Sequence, residues 1–221
     1  MKSPVKNLNS NLESSGYIWL WVGIILIIAV IGFLQLLGAD DQQYLLKEGG
    51  LFETLTVLGY LVCLILIYIY WTWQKVTAQW YFSALIILFA LRELDYDKIY
   101  FTVGLLKARQ YTGDLVPLPE LVLSVLIIIG ILTVLTFIIV KETRSFLVGL
   151  ATYKLSSLAI MVSFILVFLT KTLDGLPRKL ATLGFDVTPP LQQLIFACEE
   201  VGEMGIPIMF GIAIVSSKSK Y

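Results

Sequence analysis

From residue 17 to residue 37 no side chain carries a charge. A helix of that length rises about 30 Å, the thickness of a bilayer's hydrocarbon core, so the run is either a membrane span or a fully buried core helix. The rest of the chain decides between them. Hydrophobic residues make up 58% of 221 positions and charged residues 14%, against about 25% charged in soluble domains. A water-soluble fold of this size cannot hide so much apolar surface. Glu13 and Asp40 bracket the run, and Trp19 and Trp21 stand near its start, where indole rings favour the headgroup level. As a cleaved signal peptide the run is too long, and Leu37-Gly38-Ala39 places a bulky residue where a small one is needed.

Reading on with the same criterion gives an all-α fold, a bundle of six transmembrane helices. The second span is residues 51–73, charged only at Glu53 and closed by Tyr68, Tyr70, Trp71 and Trp73. The third, 77–91, reaches only about 22 Å, so it is expected to carry Arg92 and Glu93 into the membrane boundary. The fourth, 121–140, opens on Pro119 and Glu120, a proline at a first turn and a carboxylate at the positive end of the helix dipole. The fifth runs over 155–173 between Lys154 and Lys171. The sixth, 191–217, is interrupted by Glu199, Glu200 and Glu203 and then by Gly205 and Pro207, which can loosen or kink it. Residues 1–16 and 218–221 read as a disordered polar N-terminus and a polar tail flanking one membrane domain over 17–217.

Composition also excludes. Lys plus Arg equals Asp plus Glu at 16 each, so no net field recruits nucleic acid. The absence of histidine removes the commonest general base and the commonest ligand of zinc, copper and haem iron. Cys63 and Cys198 lie in apolar runs and read as small buried side chains. Lys and Arg number eight on each side of a six-span arrangement. Discounting Arg92, Lys98 and Lys171, which sit beside acids, puts both termini in the cytoplasm.

Threading six spans gathers the unusual charges at one leaflet: Glu48 and Glu53, then Arg92, Glu93, Asp95 and Asp97, then Lys171 and Asp174, then Glu199, Glu200 and Glu203. Counted along 191–217, Glu203 falls roughly 18 to 20 Å from either end, close to the midplane. A charge there costs at least about 2.5 kcal/mol, so these carboxylates require partners, protons or water. Spacings of three and four residues place all three on one arc of the helix, with Arg92 and Lys171 as counter-charges, the ammonium of Lys171 toward Asp174 or Glu199. Such a set suits a hard cation, Mg, Ca or Mn, with Glu199 and Glu203 as candidate ligands, or a proton. Residues 99–106, between Lys98 and Lys107, read either as an interfacial helix above this site or as an ordinary loop.

The segments Glu48-Gly-Gly-Leu-Phe-Glu53, Arg92-Glu-Leu-Asp95, Lys171-Thr-Leu-Asp-Gly175 and Glu199-Glu-Val-Gly-Glu203, in this order, resemble a group of uncharacterised bacterial inner-membrane proteins. The resemblance implies that location and carries no activity. The residues themselves leave several classes open. The first is binding of an ion, proton or small polar solute by Glu53, Arg92, Glu93, Asp95, Lys171, Asp174, Glu199, Glu200 and Glu203. The second is a membrane component that binds lipid, a membrane-protein partner or a second copy of itself, with the charges as a structural network. A metal-dependent enzyme acting on lipid headgroups ranks below both, because spacing assembles no nucleophile, base and orienting group.

Overall fold

The computed structural model describes residues 4–47, 49–112 and 115–217, with side chains from residue 16 onward except at 39. Every regular element among them is a helix: α1 (Pro4–Leu34), α2 (Ala39–Leu46), α3 (Leu51–Tyr70), α4 (Trp73–Ala78), α5 (Trp80–Glu93), α6 (Tyr96–Tyr100), α7 (Arg109–Thr112), α8 (Leu118–Ala151), α9 (Leu155–Leu173), α10 (Leu176–Thr182) and α11 (Pro189–Ser216). Four described stretches are long and apolar enough to cross a membrane: Gly16–Leu34, Asp40–Tyr70, Leu118–Ala151 and Leu155–Leu173. Their outward faces expose Ile25, Ile28, Ile65, Leu126, Ile129 and Phe168, as lipid contact requires. The chain is therefore a membrane protein. The other two expected spans fall short of that measure. α5 has 14 residues, about 21 Å, and α11 carries Glu199, Glu200 and Glu203 around its middle.

Several local expectations change. Backbone helix begins at Pro4 rather than near Tyr17; once the apolar run has nucleated a helix, each preceding residue adds a hydrogen bond at low cost. Helix also breaks at Gln79, between α4 and α5, and α8 runs past Val140 to Ala151. No helix spans 99–106, where Gly104 takes φ +110 and the chain is irregular. Pro207 sits inside α11 without ending it. Residues 1–3, the tail 218–221 and Glu48 lie outside the described residues.

α11 is the axis of the bundle, packed along its length on α9, α3 and α1, while α3 also packs on α5 and α8 lies outside against α5 and α9. Small residues let the backbones approach. A Cβ at Gly202 would stand 2.6 Å from Thr170 Cγ2 of α9, and one at Gly205 would stand 2.6 Å from Ile27 Cδ1 of α1. On the α3 side a Cβ at Gly59 would meet the Pro207 ring at 2.9 Å, and Cys63 Sγ donates to Pro207 O at 3.1 Å. Further along, Trp71 Nε1 donates to Ser217 Oγ at 3.2 Å. These contacts fix α3 and α11 parallel and in register.

That register relocates Glu203. With Pro207 opposite Gly59, Glu203 lies four residues earlier, beside Leu55, which is roughly 6 Å inside the start of α3. Glu203 is therefore about one turn inside the start of α3, because the first turns of α11 project beyond that start.

The Gly59–Pro207 approach is testable, because the proline ring cannot rotate away from an added side chain. Gly59→Val is expected to lower the melting temperature in detergent by the equivalent of about 1–3 kcal/mol. Gly130→Val, at a position with nothing within 4 Å of its Cβ, should leave it nearly unchanged. Equal melting of the two variants would contradict the packing.

Candidate functional site

The last turn of α5 brings the first pair of charges to the bundle. α5 ends because Asp95 takes the left-handed conformation at φ 48, and the N–H of Leu94 closes on Ala90 O. The negative end of the helix dipole favours a cation here, and the residue that supplies it is Arg92. Its Nη2 donates to Glu203 Oε1 of α11 at 2.6 Å, and Nη1 lies 3.5 Å from Glu93 Oε1. The second distance is an ionic contact without hydrogen-bond geometry, since Glu93 Oε1 has no hydrogen-bond partner although the side chain is only 5% exposed.

α3 supplies the opposite wall. Tyr60 is fully buried, stacked on Phe89 of α5 at 5.8 Å and tilted against Phe210 of α11 at 6.5 Å. Its hydroxyl has no hydrogen-bond partner, and the charges nearest to it in effect are Glu93, Arg92 and Glu203. Glu53, at the start of α3, accepts from Gly49 N–H at 2.6 Å, so it also holds the turn that begins the helix. Glu93 stands within coulombic reach of Glu203 and Glu53, and Glu200 within reach of Glu203, Glu199, Glu93 and Glu53. Glu199 stands within coulombic reach of Asp174, Glu203, Lys171 and Arg92.

The backbone adds an acceptor. Pro207 has no N–H, so the helical hydrogen bond to the carbonyl of Glu203 is missing. That carbonyl lies on the Pro207 side of α11, which faces α3. The arrangement is rich in oxygen: Glu93 and Glu203 contact the Arg92 guanidinium, and Glu53, Glu199 and Glu200 stand within coulombic reach of those two carboxylates or of one another. Among the described residues no group of three or more acids, cysteines or histidines is arranged to hold a metal ion, Glu199 and Glu203 included.

Other expected members stand apart. Lys171, expected to act toward Asp174 or Glu199, bonds Asp174 at 2.5 Å at the end of its own helix, with its side chain 63% exposed. That ammonium holds the Asp174 carboxyl below the usual carboxylate range. Asp95 pairs with Lys98 at 2.8 Å, one turn on. Tyr60 went unnoticed in the sequence, although a tyrosine inside a span rather than in a terminal belt is a legible anomaly. The clamp that Glu120 makes on the 101–112 segment had no sequence signal. Glu120 Oε1 accepts from Thr102 N–H and from Gln110 Nε2 at 2.7 Å each, with Gln110 buried beneath.

The two cations should differ sharply in worth. Arg92→Gln leaves Glu203 and Glu93 facing each other without a counter-charge, and a loss of about 2 kcal/mol is expected, between the values for exposed and buried pairs. Lys171→Gln should cost under about 1 kcal/mol. The Asp174 contribution is present at neutral pH and disappears as acidification protonates the lowered carboxyl. Chemical melting of the two variants checks the order, and a larger effect from Lys171→Gln would overturn it.

No family model, curated protein or solved structure matches the chain.

Proposed function

We propose that the chain is a six-span protein of the bacterial inner membrane, with both termini cytoplasmic, whose carboxylate cluster takes up an ion, proton or small cationic solute from the periplasmic side. The observation that carries this reading is the pair of buried polar atoms, Tyr60 Oη and Glu93 Oε1, without hydrogen-bond partners beside Arg92 and Glu203. A buried polar atom left unsatisfied costs about 1–3 kcal/mol, and adjacent carboxylates repel unless a proton or cation lies between them. Both penalties vanish on binding a cation. The free carbonyl of Glu203 adds a hard oxygen of the kind that coordinates cations beside broken helices.

Six spans are supported by the way α11 is surrounded. A helix wrapped by α1, α3 and α9 can carry glutamates without exposing them to acyl chains, so low hydropathy does not disqualify it. The orientation is supported by pairing at the acidic end, where Arg92, Lys98 and Lys171 are bound to acids. The opposite end holds Lys75, Lys141, Arg144 and Lys154, which the positive-inside rule assigns to the cytoplasm.

The Arg92–Glu203 bond favours a second reading, in which the charges only staple helices in a membrane component that binds lipid or a partner protein. Melting curves in detergent, with Mg, Ca or Mn and across proton concentrations, separate the two. Under uptake, Glu93→Gln and Tyr60→Phe melt at or above the wild-type temperature. They also lose a ligand-linked stabilisation that reaches about 2.7 kcal/mol at a hundredfold excess over Kd. Under stapling, Glu93→Gln melts lower and no cation or proton stabilises the wild type.

A further inference from the structure

We propose that a hollow at the α8–α9 turn, at the end of the bundle remote from the carboxylates, binds a phosphate group presented by the membrane as the headgroup of an anionic phospholipid. The hollow has a volume of about 530 Å³ and is lined by Lys141, Arg144, Ser145, Gly149, Thr152 and Lys154. Its shape is set by the turn. Tyr153 takes the left-handed conformation at φ 54, its carbonyl receives the Tyr17 hydroxyl at 2.5 Å, and the N–H of Lys154 closes on Gly149 O at 2.7 Å. These contacts fold Lys154 back over the last turns of α8, facing Arg144.

Among the described residues no acid pairs with the basic side chains of the hollow. Glu142 is the single acid between Lys141 and Lys154, and it is turned toward α5, where it accepts from the Tyr81 hydroxyl and from Gln79 Nε2. Lys141 lies over the Phe137 ring at 4.8 Å. Arg144 and Lys154 are exposed and have no acid partner among the described residues. The charge of Lys154 also reaches α4, where burial and then that like charge hold the Lys75 ammonium below its ordinary value. A doubly hydrogen-bonding guanidinium with an ammonium opposite is the arrangement that phosphate oxygens accept.

The surroundings favour a lipid as the source. Val148 forms part of the wall at 57% exposure, and Leu147 of α8, Tyr153 of the turn and Phe164 of α9 expose apolar surface nearby. Acyl chains would cover that surface while the headgroup fills the hollow, and juxtamembrane basic clusters attract anionic lipid in this way. This site is independent of the reading of the carboxylate cluster.

The test uses the whole chain in detergent, titrated with phosphatidylglycerol, with phosphatidylcholine or with inorganic phosphate, and read by native mass spectrometry and melting temperature. Wild-type protein is expected to retain phosphatidylglycerol over phosphatidylcholine, and Arg144→Gln/Lys154→Gln to lose that preference by a factor on the order of 30. Lys107→Gln/Arg109→Gln, with basic residues removed at the other end, should keep it. Stabilisation by inorganic phosphate that the Arg144→Gln/Lys154→Gln variant loses would keep the site and assign it a soluble source. Equal retention of both lipids, or a preference that survives in Arg144→Gln/Lys154→Gln, would overturn the proposal. Arg144→Lys, which keeps the charge, guards against misfolding and should retain most of the preference.

Discussion

Three close approaches along α11, at Gly202, Gly205 and Pro207, fix where every other element can lie. Lipid offers no hydrophobic force to drive helices together, so contact between backbones through small residues supplies the packing energy. At these positions α9, α1 and α3 come near enough that an added Cβ would overlap a neighbour. The same approaches set the register that places Glu203 beside the end of α5. Were α3 displaced from Pro207, Arg92 would not reach Glu203 and Tyr60 would not face Glu93.

Pro207 links packing to chemistry. Its ring fills the space that Gly59 leaves, and its missing N–H frees the carbonyl one turn earlier, at the residue whose carboxylate holds Arg92. A single residue thus contributes to helix contact and to the oxygen-rich character of the cluster. Two charged groups stand at opposite ends of the molecule, the carboxylates with Arg92 around α11 at one and Lys141, Arg144 and Lys154 around the α8–α9 turn at the other. Only the first group is built into the helix interfaces; the second lies on the surface, beside exposed apolar residues.

How much of this was legible depended on the physical signal. The apolar runs that became α1, α3, α8 and α9 were plain, because hydrocarbon thickness dictates their length. α5 and α11 were harder to read, since a helix enclosed by others need not be apolar throughout. The carboxylates and Arg92 stood out as charges in apolar surroundings, yet their height against α3 was not legible, because α11 overshoots α3, a fact of register that no single run contains. Of the two partners legible for Lys171, Asp174, three residues away, is reached at lower entropic cost than Glu199 on another helix. Tyr60 required the opposite insight, that an aromatic in mid-span with a buried hydroxyl needs a partner. The clamp of Glu120 on Gln110 joins residues ten apart across an irregular segment, and no periodicity reports it.

The central claim is that Glu93 and Tyr60 are held beside Arg92 and Glu203 in a state that a cation completes. Infrared difference spectroscopy on the protein in lipid, between ion-free buffer and buffer with Mg, Ca, Mn or added protons, observes the carboxyl groups directly. The account predicts a change in a carboxyl stretching band on addition of at least one of these, absent in Glu93→Gln and altered in Tyr60→Phe. Superimposable spectra across the whole cation and proton series would contradict it, leaving Arg92 and the glutamates as a fixed set of ion pairs.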